Sequence, residues 1–160
     1  MDETRTDTYQ GGVLRIPPPV LAGLLLFGAL LLHVAAAAHG HRLVHPHQLL
    51  GLLLVAAGTG LSAYAAALFS AHATTRNPHG RPTAMVSETP YSLTRNPMYV
   101  GLAIDLFGFA IFFGSPVMLI APLLFFLLID RMLIPEEEAR MEELFGEQYL
   151  EYKRRVRRWL

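Results

Sequence analysis

The sequence predicts an all-α, polytopic membrane protein: a single domain over residues 1–160 with four transmembrane helices and a C-terminal amphipathic helix at the interface. Three observations lead there. Apolar residues make up 52 % of the chain and charged ones 16 %, and the charges are strongly segregated. Val20 to Ala38 and Leu49 to Ala71 contain no charged residue, and each, as a helix, is long enough to cross a hydrocarbon core about 30 Å thick at ~1.5 Å per residue. Two further apolar runs, Met98 to Phe113 and Pro116 to Leu133, are divided by Gly114-Ser115-Pro116, a tight-turn sequence, and read as a membrane hairpin.

The elements follow in order. Met1 to Gly12 is polar and mixed in charge and lacks the basic, apolar and small-residue regions of a cleaved signal, so the first apolar run is expected to stay as a helix. Pro17-Pro18-Pro19 precede a first span over about 20–38, where proline suits a helix start. A loop from Gly40 to His47 carries His41, His45 and His47, and a second span runs over about 48–71. Both spans are rich in small residues (Ala35 to Ala38, Gly51, Gly58, Gly60, Ala65 to Ala67), which let helix backbones approach closely.

The connection over 72–97 is polar and is punctuated by Pro78, Gly80, Pro82 and Pro90, so it cannot be one helix. Met85, Val86, Tyr91 and Leu93 predict that it is ordered and packed on the bundle. The third span, about 98–113, reaches about 24 Å. That is short for a bilayer core and draws its Arg95 end below the headgroups. The fourth covers about 116–133, with Pro122 a candidate kink.

Pro135 then opens a polar helix over about 136–158, with acidic residues in the first turn where the helix dipole favours them. Met141, Leu144, Phe145, Tyr149, Tyr152, Val156 and Trp159 recur at helical spacing as an amphipathic stripe. The basic tail from Lys153 to Arg158 suits anionic lipid headgroups, a cheaper account beside membrane spans than nucleic acid.

Four spans put the N-terminus, the 72–97 loop and the C-terminal helix on one side, and that side holds every Lys and Arg except Arg42. The positive-inside rule makes it cytoplasmic, with a bacterial inner membrane as the expected setting. The net charge of zero says nothing about partners, and the absence of cysteine excludes disulfides, thiolate nucleophiles and Cys-ligated zinc. No histidine pair has the spacing of a helical His-Glu-x-x-His site, so His33, His41, His45, His47 and His72 read as interfacial or solvated rather than as metal or haem ligands.

Two polar clusters are the candidate site. Arg95-Asn96-Pro97-Met98-Tyr99-Val100-Gly101 enters the third span, and Glu136-Glu137-Glu138 follows the fourth, on the same face after a hairpin. Taken alone, the first is a helix start in which Asn96 caps, Pro97 fills the first turn and Arg95 snorkels to phosphate. Taken together, the two clusters form a charged pocket in which Arg95 holds a carboxylate in a forked pair and a glutamate accepts from hydroxyls or an amine. Asp105, in mid-span, is either a polar wall of that cavity or a structural hydrogen-bonding group to a neighbouring helix.

The ordered series Thr83-Ala84-Met85-Val86, Tyr91, Arg95 to Gly101, Pro135 to Glu138 and Phe145-Gly146-Glu147-Gln148-Tyr149-Leu150-Glu151-Tyr152 resembles the isoprenylcysteine carboxyl methyltransferase family and, more widely, the membrane phospholipid methyltransferases. The resemblance covers roughly the C-terminal half and implies a membrane bundle that uses S-adenosylmethionine. It implies that Thr83, Ala84, Met85 and Val86 line the cofactor pocket, that Tyr91 closes it, that Asn96, Pro97, Met98 and Tyr99 contact the cofactor, and that Glu137 binds it with Glu138 beside. Eukaryotic members carry a substrate-linked arginine a turn before the acidic pair; the nearest here, Arg131, is out of register. Asn96 and Thr83 stand where that family has histidines.

The expected function is methyl transfer from S-adenosylmethionine to a lipophilic acceptor, an isoprenoid-linked carboxylate or another lipid, with Arg95, Tyr99 and Arg131 at the reacting end. The partners expected are that acceptor and membrane lipids, with no nucleic acid and with small-residue faces that permit a homodimer. The rivals are a nicotinamide-dependent reductase of the sterol-reductase type and a non-enzymatic membrane scaffold or haem carrier.

Overall fold

The computed structural model describes residues 16–39, 47–71 and 85–160. All regular elements among them are helical. The helices are α1 (Pro18–Ala38), α2 (Gln48–Ala71), α3 (Pro97–Phe112), α4 (Ile120–Leu128), α5 (Ile134–Phe145) and α6 (Glu147–Arg155). Thr83, Ala84, His41, His45 and His72 lie outside the described residues.

Three helices are long and apolar enough to cross a membrane: Pro18–Ala38, Gln48–Leu68 and the continuous stretch Pro116–Phe145, while Pro97–Phe112 is apolar but shorter. The apolar spans therefore sit close to where the sequence puts them.

The element that fixes the site is the α2–α3 pair, which shares the largest helix–helix interface in the structure. It is antiparallel and is built on glycines: Gly51 lies against Gly108, and Gly58 against Gly101. A Cβ on Gly51 would sit 2.6 Å from the Phe112 backbone nitrogen, and one on Gly58 would sit 2.5 Å from the Gly101 carbonyl oxygen. The backbones touch because nothing stands between them. Ser62 Oγ then donates to the Met98 carbonyl at 3.0 Å, and Thr59 Oγ1 donates to the Asp105 carboxylate at 3.2 Å. Asp105 is thus hydrogen-bonded to the neighbouring helix. With lipid tails as apolar as leucine, close packing and such interhelical bonds are what hold membrane helices together.

The second layer is α1 against α3 and α4, around Leu21, Ala29, Leu106, Met118, Phe125 and Ile129. Its α3–α4 connection is the turn at Gly114, where φ is 59°. A 3-10 turn, Pro116–Leu119, precedes α4. Pro122 cannot donate to the Met118 carbonyl, which accounts for tighter winding there.

Two features depart from the sequence reading. The helix does not stop at Leu133: a π turn, Ile129–Leu133, links α4 to α5, and the Ile134 N–H reaches back to the Ile129 carbonyl. Pro135 supplies the cause, since it lacks an N–H and its ring crowds the carbonyl four residues earlier, so the coil widens. At the other end, the expected single helix over 136–158 is two. Gly146 breaks it at φ 52°, ψ −128°, and α6 ends at Arg155 with Val156 extended. On the amphipathic stripe Leu144 is 42 % exposed, while Tyr149 and Tyr152 are buried.

Gly146→Ala is expected to cost about 1–3 kcal/mol, because a Cβ there meets no neighbour yet must adopt a backbone conformation that only glycine tolerates. At about 2–4 °C per kcal/mol for a chain of this size, a thermal melt in detergent will show the loss. An unchanged melting temperature would mean that α5 and α6 do not break there.

Candidate functional site

The 18 residues of the apolar span Pro116–Leu133 reach about 27 Å, close to a full hydrocarbon core. The polar α5 continues the helix past that apolar stretch, and it meets the loop that enters α3. Arg95 Nη2 donates to Glu138 Oε1 at 2.8 Å. Tyr99, one turn into α3, donates from its hydroxyl to Glu137 Oε1 at 2.7 Å. Adjacent glutamates thus bind adjacent segments of one loop–helix junction, and the two clusters seen in the sequence are joined directly.

The junction is held from a third side by the C-terminal tail. Arg95 N donates to the Arg157 carbonyl at 2.9 Å. Arg95 Nη1 donates to the carbonyls of Val156 at 2.6 Å and Lys153 at 3.2 Å. Asn96 Nδ2 and Thr94 Oγ1 both donate to the Arg158 carbonyl, at 2.9 and 3.1 Å. Asn96 therefore does not cap α3 with its side chain; its amide is spent on the tail. Its carbonyl still opens α3, accepting from Tyr99 N and Val100 N at 3.0 Å each.

Arg158 turns inward as well. Its Nε and Nη2 donate to the two oxygens of Glu138 at 3.0 and 2.9 Å, and its Nη1 donates to Asp130 Oδ1 at 3.3 Å. The same Asp130 oxygen accepts from Trp159 Nε1 at 2.9 Å, and the Trp159 ring lies 4.8 Å from Phe126. Asp130 and Glu138 are eight residues apart, about 80° around an unbroken α-helix; the residue inserted by the π turn brings them to within about 20°. That alignment lets one guanidinium bridge both.

Burial alone acts to raise the pKa of Glu138, but the hydrogen bonds from Arg158 and Arg95 outweigh it and hold the group down at about 2. Glu137 is the opposite case. Burial pushes it up to about 7, against the lowering effect of the Tyr99 hydroxyl and of Arg140. The two neighbours are therefore one fixed anion and one carboxyl poised near neutrality. The Arg95 side chain is only 9 % exposed, and its Nε has no hydrogen-bond partner among the described residues. A buried N–H left so costs about 1–3 kcal/mol.

Of the other expected residues, Val86 and Tyr91 are buried with Ala65 in a small cluster that Met98 also packs against. Met85 is half-buried. Tyr91 donates to the Ala65 carbonyl at 3.4 Å and accepts on its own carbonyl from Tyr152 at 2.7 Å. Pro97 is buried in the first turn of α3. Arg131 stands apart: its side chain is 78 % exposed and pairs only loosely with Asp130, at 3.4 Å.

Arg158, Trp159 and Asp130 were not among the site residues the sequence suggested. Within the tail, Lys153 pairs with Glu142 at 2.5 Å, Arg154 with Glu147 at 2.7 Å, and Arg155 with Glu151 at 3.7 Å, and the Arg154 and Arg155 side chains stay exposed.

Comparison with known proteins identifies the family. The family model for phospholipid methyltransferases matches residues 46–148, from the start of α2 into α6. An uncharacterized protein of Haemophilus influenzae (strain Rd) is 35 % identical over 63 residues, which is 39 % of this chain and the whole of that protein. No solved structure matches. The matched residues cover well over half of the chain and include both halves of the Arg95–Glu138 and Tyr99–Glu137 pairs, and the chain belongs to the phospholipid methyltransferase family, membrane methyltransferases of lipid-like substrates.

Proposed function

We propose that this protein is a four-span membrane enzyme that moves the methyl group of S-adenosylmethionine to a lipophilic acceptor, an isoprenoid-linked carboxylate or another lipid, at the cytoplasmic face. The observation that carries this reading is the meeting of Arg95 and Tyr99 with Glu138 and Glu137 where α3 and α5 come together.

The residues fit that cofactor. Arg95 Nε is a buried donor without a partner among the described residues, suited to a carboxylate. Glu137 offers a carboxylate oxygen beyond its bond to Tyr99, suited to an amine or to ribose hydroxyls. Met85, Val86, Tyr91 and Met98 supply apolar surface for a heteroaromatic ring. Thr83 and Ala84 immediately precede that wall in sequence and lie outside the described residues. Asn96 and Pro97 hold the backbone at the α3 entrance, and Glu138 fixes Arg95.

When bound, S-adenosylmethionine supplies an electrophilic methyl group on a sulfonium, so the protein's task is mainly positioning and exclusion of water. Tyr99 holds Glu137 in place, and Arg95 is locked by the tail carbonyls. Arg131, exposed at the edge of the apolar span, is available to an anionic acceptor approaching laterally from the bilayer.

The test is incubation of the purified protein with methyl-labelled S-adenosylmethionine and a total lipid extract. Label is expected in one lipid class. A folded protein that labels no lipid, or that oxidises NADPH instead, would overturn the proposal.

A further inference from the structure

Glu138 makes an unusual pairing with Arg95. An arginine presents Nε–H and one Nη–H along a shared side edge, and a carboxylate ordinarily spans both in a fork. Here Glu138 takes Nη2 at 2.8 Å and Nε is left without a partner among the described residues, in a side chain only 9 % exposed. The reason is visible on the other side of the carboxylate. Arg158 claims both Glu138 oxygens, Oε1 through Nε at 3.0 Å and Oε2 through Nη2 at 2.9 Å. Lys153 Nζ adds a third cation 3.5 Å from Oε2. The second oxygen that would complete a fork on Arg95 is held by Arg158 and lies beside Lys153.

We propose that Arg158 is a positioning residue of the cofactor site, acting through Glu138 to keep the Nε–H of Arg95 open for the carboxylate of an incoming amino-acid-type ligand. This rests on the reading of the site as one for S-adenosylmethionine. The tail contributes in two ways. The Val156 and Lys153 carbonyls engage Arg95 Nη1 and Glu138 engages Nη2, so Nε is the guanidinium nitrogen without a hydrogen bond among the described residues. Arg158 is itself steadied by Asp130, whose position the π turn sets. Without Arg158, Glu138 is free to swing its second oxygen onto Nε and close the fork, satisfying Arg95 from within.

The experiment compares equilibrium binding of S-adenosylmethionine and of decarboxylated S-adenosylmethionine, which lacks only the carboxylate, to the full-length protein in detergent. The wild type is expected to prefer the carboxylated ligand by at least about tenfold, the size of a charge-assisted hydrogen bond worth ~1.4 kcal/mol. In Arg158→Leu that ratio is expected to fall towards one, mainly through loss of affinity for the carboxylated ligand. A merely structural role would weaken both ligands alike and leave the ratio unchanged.

Arg158→Lys retains the charge but cannot hold both Glu138 oxygens and Asp130 together; it is expected to lower the ratio at least threefold, and it stands in if the leucine variant fails to fold. A wild-type ratio near one, or a wild-type ratio retained in a folded Arg158 variant, would overturn the proposal while leaving the methyltransferase reading intact. A wild type that binds neither ligand would overturn both.

Discussion

Replacing Gly101 by leucine is expected to abolish the folded protein. A Cβ at that position would lie 2.5 Å from the Gly58 carbonyl oxygen and 3.0 Å from Ser62 N, contacts made with backbone that cannot step aside. The reciprocal position is equally closed: a Cβ on Gly58 would lie 2.9 Å from Asp105 N. Relief requires α2 and α3 to separate along their length. That would cost the Ser62–Met98 bond and the Thr59–Asp105 bond as well as the glycine contacts.

Ordinary overpacking costs about 1–3 kcal/mol because side chains give way; here they cannot, and the expected loss is about 4 kcal/mol or more. Gel filtration and a thermal melt in detergent will show aggregated or non-cooperative protein. Gly60→Ala is the control. A Cβ there meets nothing within 4 Å, and alanine is the better helix former by about 0.5–1 kcal/mol. If Gly101→Leu melts like the parent, the helices do not pack backbone to backbone.

Replacing Glu137 by glutamine is expected to lower kcat/KM for S-adenosylmethionine about 100-fold, or ~2.7 kcal/mol at 1.36 kcal/mol per factor of ten. Glutamine keeps the size and still accepts from the Tyr99 hydroxyl, so the fold is spared while the charge is lost. The pH dependence follows from the same group. Burial lifts Glu137 to about 7, so the carboxyl is neutral below that value and anionic above it. Affinity for a cationic ligand is therefore expected to rise from pH 6 to pH 8 and then level off. The charged neighbours of Glu137 are Arg140, Glu136 and Glu138, with Glu138 held near 2 and ionised throughout. In Glu137→Gln the profile is expected to be flat across that window. A wild-type profile that falls with pH would contradict the assignment.

The spans were legible because membrane solvent imposes a simple code: uncharged runs long enough to cross, ended by proline and charge. The site was half legible. Arg95 and the glutamates could be found because charged groups beside apolar runs need a reason to be there; Tyr99 and the choice of Glu137 came with the family resemblance, and the structure joins the four in pairs. The third wall was not legible. The tail holds Arg95 and Asn96 largely through backbone carbonyls, which every residue carries and which leave no mark in sequence.

Arg158 lay in a basic run that reads as a solvated or lipid-facing tail, and its contact with Asp130 depends on a π turn that changes which residues share a face. Pro135 was the available signal for that turn. A proline inside a long helical stretch starts a new helix or distorts a continuing one, and the sequence reading chose the first. Gly146 was a plainer sign, a glycine within a helical pattern, and it does break the helix.

The measurement that bears most directly on the central claim is equilibrium binding of labelled S-adenosylmethionine to the purified protein at pH 8. One saturable site per chain, displaced by S-adenosylhomocysteine and strongly weakened in Glu137→Gln, is the predicted result. Saturable binding of equal strength in Glu137→Gln, or no binding by a wild type that melts cooperatively, would contradict it.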